Sequence, residues 1–135
     1  MRAYLADTSA WHRSVQVPAQ WSALIADDRL AMCTPVALEL LHSAQTRAEY
    51  DRIEHGFREL PHLSLDTRSE ALARRTQGAL VSRGQHRGPS PVDLMIAAIA
   101  EANDATLLHY DRHFEAIARI TGQPVQWLAR PGSLD

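Results

Sequence analysis

Two short apolar runs near opposite ends of the chain stop on an aspartate, YLAD at Asp7 and LLHYD at Asp111. Runs of this length and composition read as strands buried on both faces. A carboxylate placed directly after such a strand is costly unless it is paired, solvated or bound to metal. Strand patterns fall at residues 2–7, 30–34, 63–65, 106–110 and 125–128, and helical patterns at 8–14, 18–28, 35–44, 47–59, 68–83, 91–103 and 112–121. Strands alternate with helices, which predicts an α/β sandwich with a mainly parallel sheet.

Boundary chemistry sharpens these limits. Pro18 sits in a first helical turn, and Thr34-Pro35 supplies an N-cap followed by a proline. Thr46 with Glu49, Thr67 with Glu70 and Ser90 with Asp93 form capping-box patterns, and Gly122 closes the last helix. The segment GQHRGPS at 84–90 has no apolar residue and reads as a loop.

In a parallel α/β sheet the functional crevice lies outside the C-terminal ends of the strands. Asp7 and Asp111 fall there, while Glu39 in VALELL and Asp93 in PVDLMIAAIA lie within apolar helices. Four carboxylates gathered at one crevice repel one another unless a divalent cation neutralises them. Oxygen ligation of that kind suits Mg²⁺ or Mn²⁺. Each acid alone also has a structural reading: Asp7 and Asp111 as N-caps, Asp93 in a capping box, Glu39 on a surface stripe. The set of four is more specific than any member.

At 135 residues the chain is expected to form one domain. No apolar run reaches the roughly 18 residues that span a bilayer, and no signal-peptide stretch precedes Asp7, so a cytoplasmic location is expected. Cys33 is the only cysteine. That excludes an internal disulfide and a cysteine metal site, and reads as a buried structural thiol. All 14 basic residues are arginine and the net charge is −2. Setting the four candidate ligands aside leaves a positive remainder, so nucleic-acid binding stays open. Arg83 and Arg87 about the loop, and Arg112 beside the fourth acid, are candidate phosphate contacts. No His-Glu-x-x-His, nucleophile elbow or Gly-rich phosphate loop is present. Ser9 therefore reads as a hydrogen-bond partner of Asp7 or a cap. His42, His55, His62 and His86 read as solvated. His109 and His113 flank Asp111, with a role outside the site favoured over reach into it. Trp11, Trp21 and Trp127 read as packing or interface residues.

MRAYLADTSAW resembles the opening block of PIN domains, TPVALELL the second block, and SPVDLMIAAIAEANDATLLHYDRHFEAIA the third and fourth. The small size and tight arrangement are similar to the VapC toxins of bacterial toxin–antitoxin pairs. The resemblance implies a three-layer α/β/α PIN-like fold with a mainly parallel central sheet over residues 1–128, with 129–135 as a tail. It makes Asp7, Glu39, Asp93 and Asp111 a catalytic quartet, with Asp7, Asp93 and Asp111 as metal ligands and Glu39 acting through water. Ser9 falls where such domains place a hydroxyl near the first acid. The implied activity is that of a Mg²⁺- or Mn²⁺-dependent endoribonuclease acting as a toxin. Its implied partners are RNA, a small cognate antitoxin and a second copy of the chain. Whether Glu115, one helical turn after the fourth acid, joins the site stays open. Two other readings compete. An aspartyl-phosphate phosphotransferase wants a second Asp two residues after the first and a lysine, where this chain has Ser9 and no lysine. A catalytically silent PIN-like binding module has no reason to keep four buried charges.

Overall fold

A computed structural model describes residues 2–135. Its sheet has four parallel strands in the order β2-β1-β3-β4. They are β1 Tyr4–Ala6, β2 Leu30–Ala31, β3 Thr106–His109 and β4 Val125–Trp127. Seven α-helices connect and cover them: α1 Thr8–Arg13, α2 Pro18–Ala26, α3 Thr34–Leu41, α4 Arg47–Arg58, α5 Thr67–Ser82, α6 Pro91–Ala102 and α7 His113–Thr121. A single 3₁₀ turn, Ser14–Gln16, links α1 to α2.

Side-chain alternation along the two central strands splits the core into two layers. Leu5 and Leu107 face one side, where they pack with Ile96, Ile99, Phe114 and Ile117. Ala6 and Leu108 face the other, with Leu30, Trp21 and Leu128. Both faces are thus covered, as parallel strands require, and the expected three-layer α/β/α arrangement is present. Leu5 pairs with Leu107 and Ala6 with Leu108. That register brings the ends of β1 and β3 side by side, so the residues that follow, beginning with Asp7, enter one crevice.

Several local expectations are corrected. Residues 63–65 do not form a strand. Met32 makes one parallel bridge with His62, through Met32 N–H to the Pro61 carbonyl and Leu63 N–H to the Met32 carbonyl. Pairing stops there because the chain turns into α3 at Thr34. The cap of α3 is Cys33, without a side-chain hydrogen bond, and Thr34 and Pro35 occupy the first turn. α5 is capped one residue earlier than expected, by a box of Asp66 and Ser69. Asp111 is not the N-cap of α7; Arg112 is. The Asp111 side chain instead accepts the N–H of His113 at 2.9 Å. Residues after β4 fold back on the body: Leu134 N–H donates to the Tyr110 hydroxyl at 2.8 Å, and Leu134 packs on the second core layer.

Candidate active site

Asp7 leaves the end of β1 and caps α1, accepting the Ala10 N–H at 3.1 Å. Only 3% of its surface is exposed. Ser9 Oγ donates to the Asp7 carboxylate, 2.7 and 2.9 Å from its two oxygens, and accepts the Tyr110 N–H at 2.9 Å. One hydroxyl therefore ties the first acid to the end of β3. Burial pushes the Asp7 carboxyl up to about 6 despite the hydrogen bonds from Ser9 and Ala10, with the charge of Asp93 adding to the rise.

Asp93 occupies the first turn of α6. Its carboxylate accepts the Ser90 N–H at 2.9 Å, and its own N–H donates to Ser90 Oγ at 3.0 Å. The capping box read from the sequence is present, and it fixes the carboxylate at the positive end of a helix. Burial nonetheless raises the Asp93 carboxyl above its ordinary range; the Ser90 hydrogen bonds oppose the rise, and the charges of Asp111 and Glu39 reinforce it. Asp93 is thus the electrostatic centre of the four: it is acted on by Asp111 and Glu39 and acts in turn on Asp7.

Asp111 follows β3. Its Oδ1 lies 3.4 Å from His113 Nδ1. Asp93, Asp111 and His113 each offer one ligand atom, all within 4.8 Å of one another. Two carboxylates and an imidazole, beside the buried carboxylate of Asp7, fit a hard divalent cation of the Mg²⁺ or Mn²⁺ type better than a thiolate-loving one. Glu39 stands apart in one respect. Its helix was expected to be largely buried, yet Glu39 is exposed and its neighbour Leu38 is 61% exposed. Glu39 Oε1 accepts the Thr8 hydroxyl at 2.6 Å, which hangs it on the residue next to Asp7.

His113, for which the sequence favoured a role outside the site, offers a third donor beside Asp93 and Asp111. Two further contributors were not read from the sequence. Thr8 orients Glu39. Arg13 lines a cavity with Ser9, Asp111 and Arg112. Of the candidate phosphate contacts, Arg112 thus borders the site and Arg87 is exposed in the loop. That loop reaches the site, because a Cβ on Gly88 would lie 3.2 Å from His113 Cδ2. Arg83 is exposed at the end of α5, with no contact that ties it to the cluster. Glu115 accepts Trp127 Nε1 at 2.8 Å, on the β4 side. His109 is fully buried and its Nδ1 accepts the Asp111 N–H at 3.2 Å. Burial lowers its pKa, so it is neutral at pH 7 and steadies the backbone that carries the fourth acid. Beside Glu39 runs an open groove of about 670 Å³, walled by Leu38, Leu65, Val92 and Met95.

The family model described as PIN domain matches residues 4–120. Ribonuclease VapC18 of Mycobacterium tuberculosis is 34% identical over 136 residues, spanning 97% of this chain and 98% of that protein. Ribonuclease VapC2 of Mycobacterium tuberculosis is 40% identical over 138 residues, spanning 96% of each. Among solved structures, DNA-bound VapBC from Salmonella typhimurium has a chain that superposes with a TM-score of 0.76 at 19% identity, covering 96% of this chain and 100% of that one. FitAcB from Neisseria gonorrhoeae has one that superposes with a TM-score of 0.70 at 18% identity, covering 90% and 95%. At those identities the superpositions speak to the fold.

Proposed function

The chain belongs to the PIN-domain family, and from that premise we propose that it is a metal-dependent endoribonuclease acting as the toxin of a toxin–antitoxin pair. The observation that carries the reading is the convergence of Asp7, Asp93, Asp111 and Glu39 at the C-terminal ends of β1 and β3, with Asp7 and Asp93 both raised by burial and by neighbouring charge. Full-length relatives named ribonucleases support the same class.

In this reading Asp93, Asp111 and His113 hold the ion, with Asp7 facing them and Glu39 at the rim. A bound Mg²⁺ or Mn²⁺ would supply Lewis acidity toward water and the scissile phosphate. The residues do the rest. Asp7, raised only to about 6, is ionised at neutral pH, and Ser9 fixes its orientation. His109 and Ser9 both hold backbone at the end of β3, so the fourth carboxylate does not drift. Arg112 and Arg87 flank the carboxylates and offer guanidinium forks to the RNA backbone. The desolvated carboxylates of Asp7 and Asp93, set beside Asp111 and Glu39, would cost stability in a module without chemistry, which counts against the silent reading.

The partner follows from the same surface. Structural relatives include members of the VapBC toxin–antitoxin family, and we take a small antitoxin as this chain's partner. An apolar groove that ends on Glu39 suits an antitoxin segment carrying apolar anchors and an arginine. A homodimer in the cytoplasm is the expected working form. No helix among the described residues is long and apolar enough to cross a membrane. Incubation of the purified chain with total RNA and Mn²⁺ or Mg²⁺, followed by mapping of new 5′ ends, tests the activity. Discrete new ends that vanish with chelator are expected; an unchanged RNA pool would refute it.

A further inference from the structure

Arg13 ends α1 at the border of the acidic site, and its guanidinium lies 4.5 Å over the Tyr110 ring. Its Nε is buried without a hydrogen-bond partner. The ion pairs among the described residues engage Arg2, Arg47, Arg58 and Arg75, not Arg13. The side chain is half-buried, and a buried N–H left without an acceptor is costly, with stacking on one ring recovering only part of that cost. The platform beneath it is well held. Tyr110 N–H is tied to Ser9 and its hydroxyl to Leu134 N–H. Trp127 packs edge-on against the Tyr110 ring at 5.5 Å.

The cation faces a cavity of about 370 Å³ that it shares with Ser9, Asp111, Arg112, Trp127 and Asp135. Ser9 and Asp111 also belong to the acidic cluster, so whatever fills the cavity lies one step from the reacting centre. Asp111 and Asp135 formally offset the two arginines. Were Asp111 to hold a divalent ion, its charge would be offset and the balance at the cavity would turn positive.

Resting on the ribonuclease reading, we infer that this cavity is a phosphate subsite for single-stranded RNA. In it Arg13 and Arg112 hold the phosphate next to the scissile one, against the Tyr110–Trp127 wall. A planar guanidinium at the cavity wall matches phosphate oxygens bidentately, and single-strand binders combine cations with aromatic rings. An acidic peptide of a protein partner is the competing occupant.

The test is steady-state cleavage of a short single-stranded oligoribonucleotide in Mn²⁺ by wild type, Arg13→Gln and Arg13→Lys. Loss of one charged contact should raise KM in Arg13→Gln roughly tenfold or more, with kcat within about threefold. The salt dependence of kcat/KM should flatten by about 0.7 in log–log slope. Arg13→Lys keeps the charge and loses the fork, so KM should rise while the slope stays. Should Arg13→Gln fail to fold, Arg13→Lys alone decides through KM. Wild-type KM in a folded variant, or a fall in kcat with KM unmoved, overturns the subsite. So does weakened binding of an acidic peptide with RNA kinetics intact. A wild-type protein that does not cleave RNA sinks the ribonuclease reading itself, whereas a cleaving wild type with indifferent variants sinks only the subsite.

Discussion

Asp7→Asn should stabilise the metal-free protein at neutral pH. Asp7 is raised from its ordinary 3.8 to about 6, chiefly by burial. A carboxyl whose folded pKa exceeds its unfolded value favours folding when protonated. Its contribution is fully present below pH 3.8 and is lost as pH rises through about 6. That gap corresponds to about 3 kcal/mol. Asn keeps the shape and remains a good N-cap, so the Ala10 N–H stays satisfied and the cap costs little. Its amide NH₂ must find an acceptor where Ser9 now donates, which offsets part of the gain. A net gain of about 1–3 kcal/mol above pH 7 is expected, or roughly 5 °C in Tm for a domain of this size. Urea unfolding in EDTA at pH 4 and pH 7.5 measures it. Wild type should lose stability between the two pH values, and the variant should lose markedly less. An equal loss of stability in Asp7→Asn at both pH values would show that the hydrogen bonds, not the desolvated charge, set the energetics.

The other predictions bear on the remaining carboxylates and their supports. Asp93→Asn and Asp111→Asn should each weaken Mn²⁺ binding by at least about tenfold in calorimetry, since each removes a charged ligand; retained affinity in both would place the ion elsewhere. Ser90→Ala removes the side-chain cap of α6 and should cost about 1 kcal/mol in urea unfolding, yet leave cleavage largely intact, because the Ser90 N–H still holds Asp93. Arg87→Ala should weaken RNA binding and flatten its salt dependence by about 0.7 in slope, with Mn²⁺ affinity unmoved; an unchanged slope would make the loop a bystander.

Much of this arrangement was legible in the chain because local chemistry and tertiary placement agree. The Ser90–Asp93 box, read from the sequence as the structural explanation of Asp93, is present and starts α6, and it also fixes where that carboxylate points. Asp7 and Asp111 stood out because each follows a strand buried on both faces, although each also read as an N-cap, and Asp7 does cap α1. The errors fall where a pattern is ambiguous by one residue or lacks a neighbour. Asp66 with Ser69 and Thr67 with Glu70 both offer capping chemistry, and tertiary packing selects the first. Leu63 and Leu65 alternate like a strand, but β2 ends at Ala31 and the only pairing beyond it is the bridge of Met32 with His62. Glu39 sits among leucines, and composition does not tell which face of α3 points outward; Leu38 and Glu39 share the exposed one. Arg13 carried no signal at all, since its stacking on Tyr110 joins residues far apart in the chain.

The rate of RNA cleavage as a function of Mn²⁺ concentration tests the central claim most directly. With a defined single-stranded substrate at pH 7.5, the rate should be negligible in chelator and rise to saturation as the metal is added. Half-saturation should fall near the calorimetric Kd of the wild-type protein, and Asp93→Asn should show no such rise. Cleavage at full rate in EDTA, or a metal response that survives in Asp93→Asn, would contradict the account.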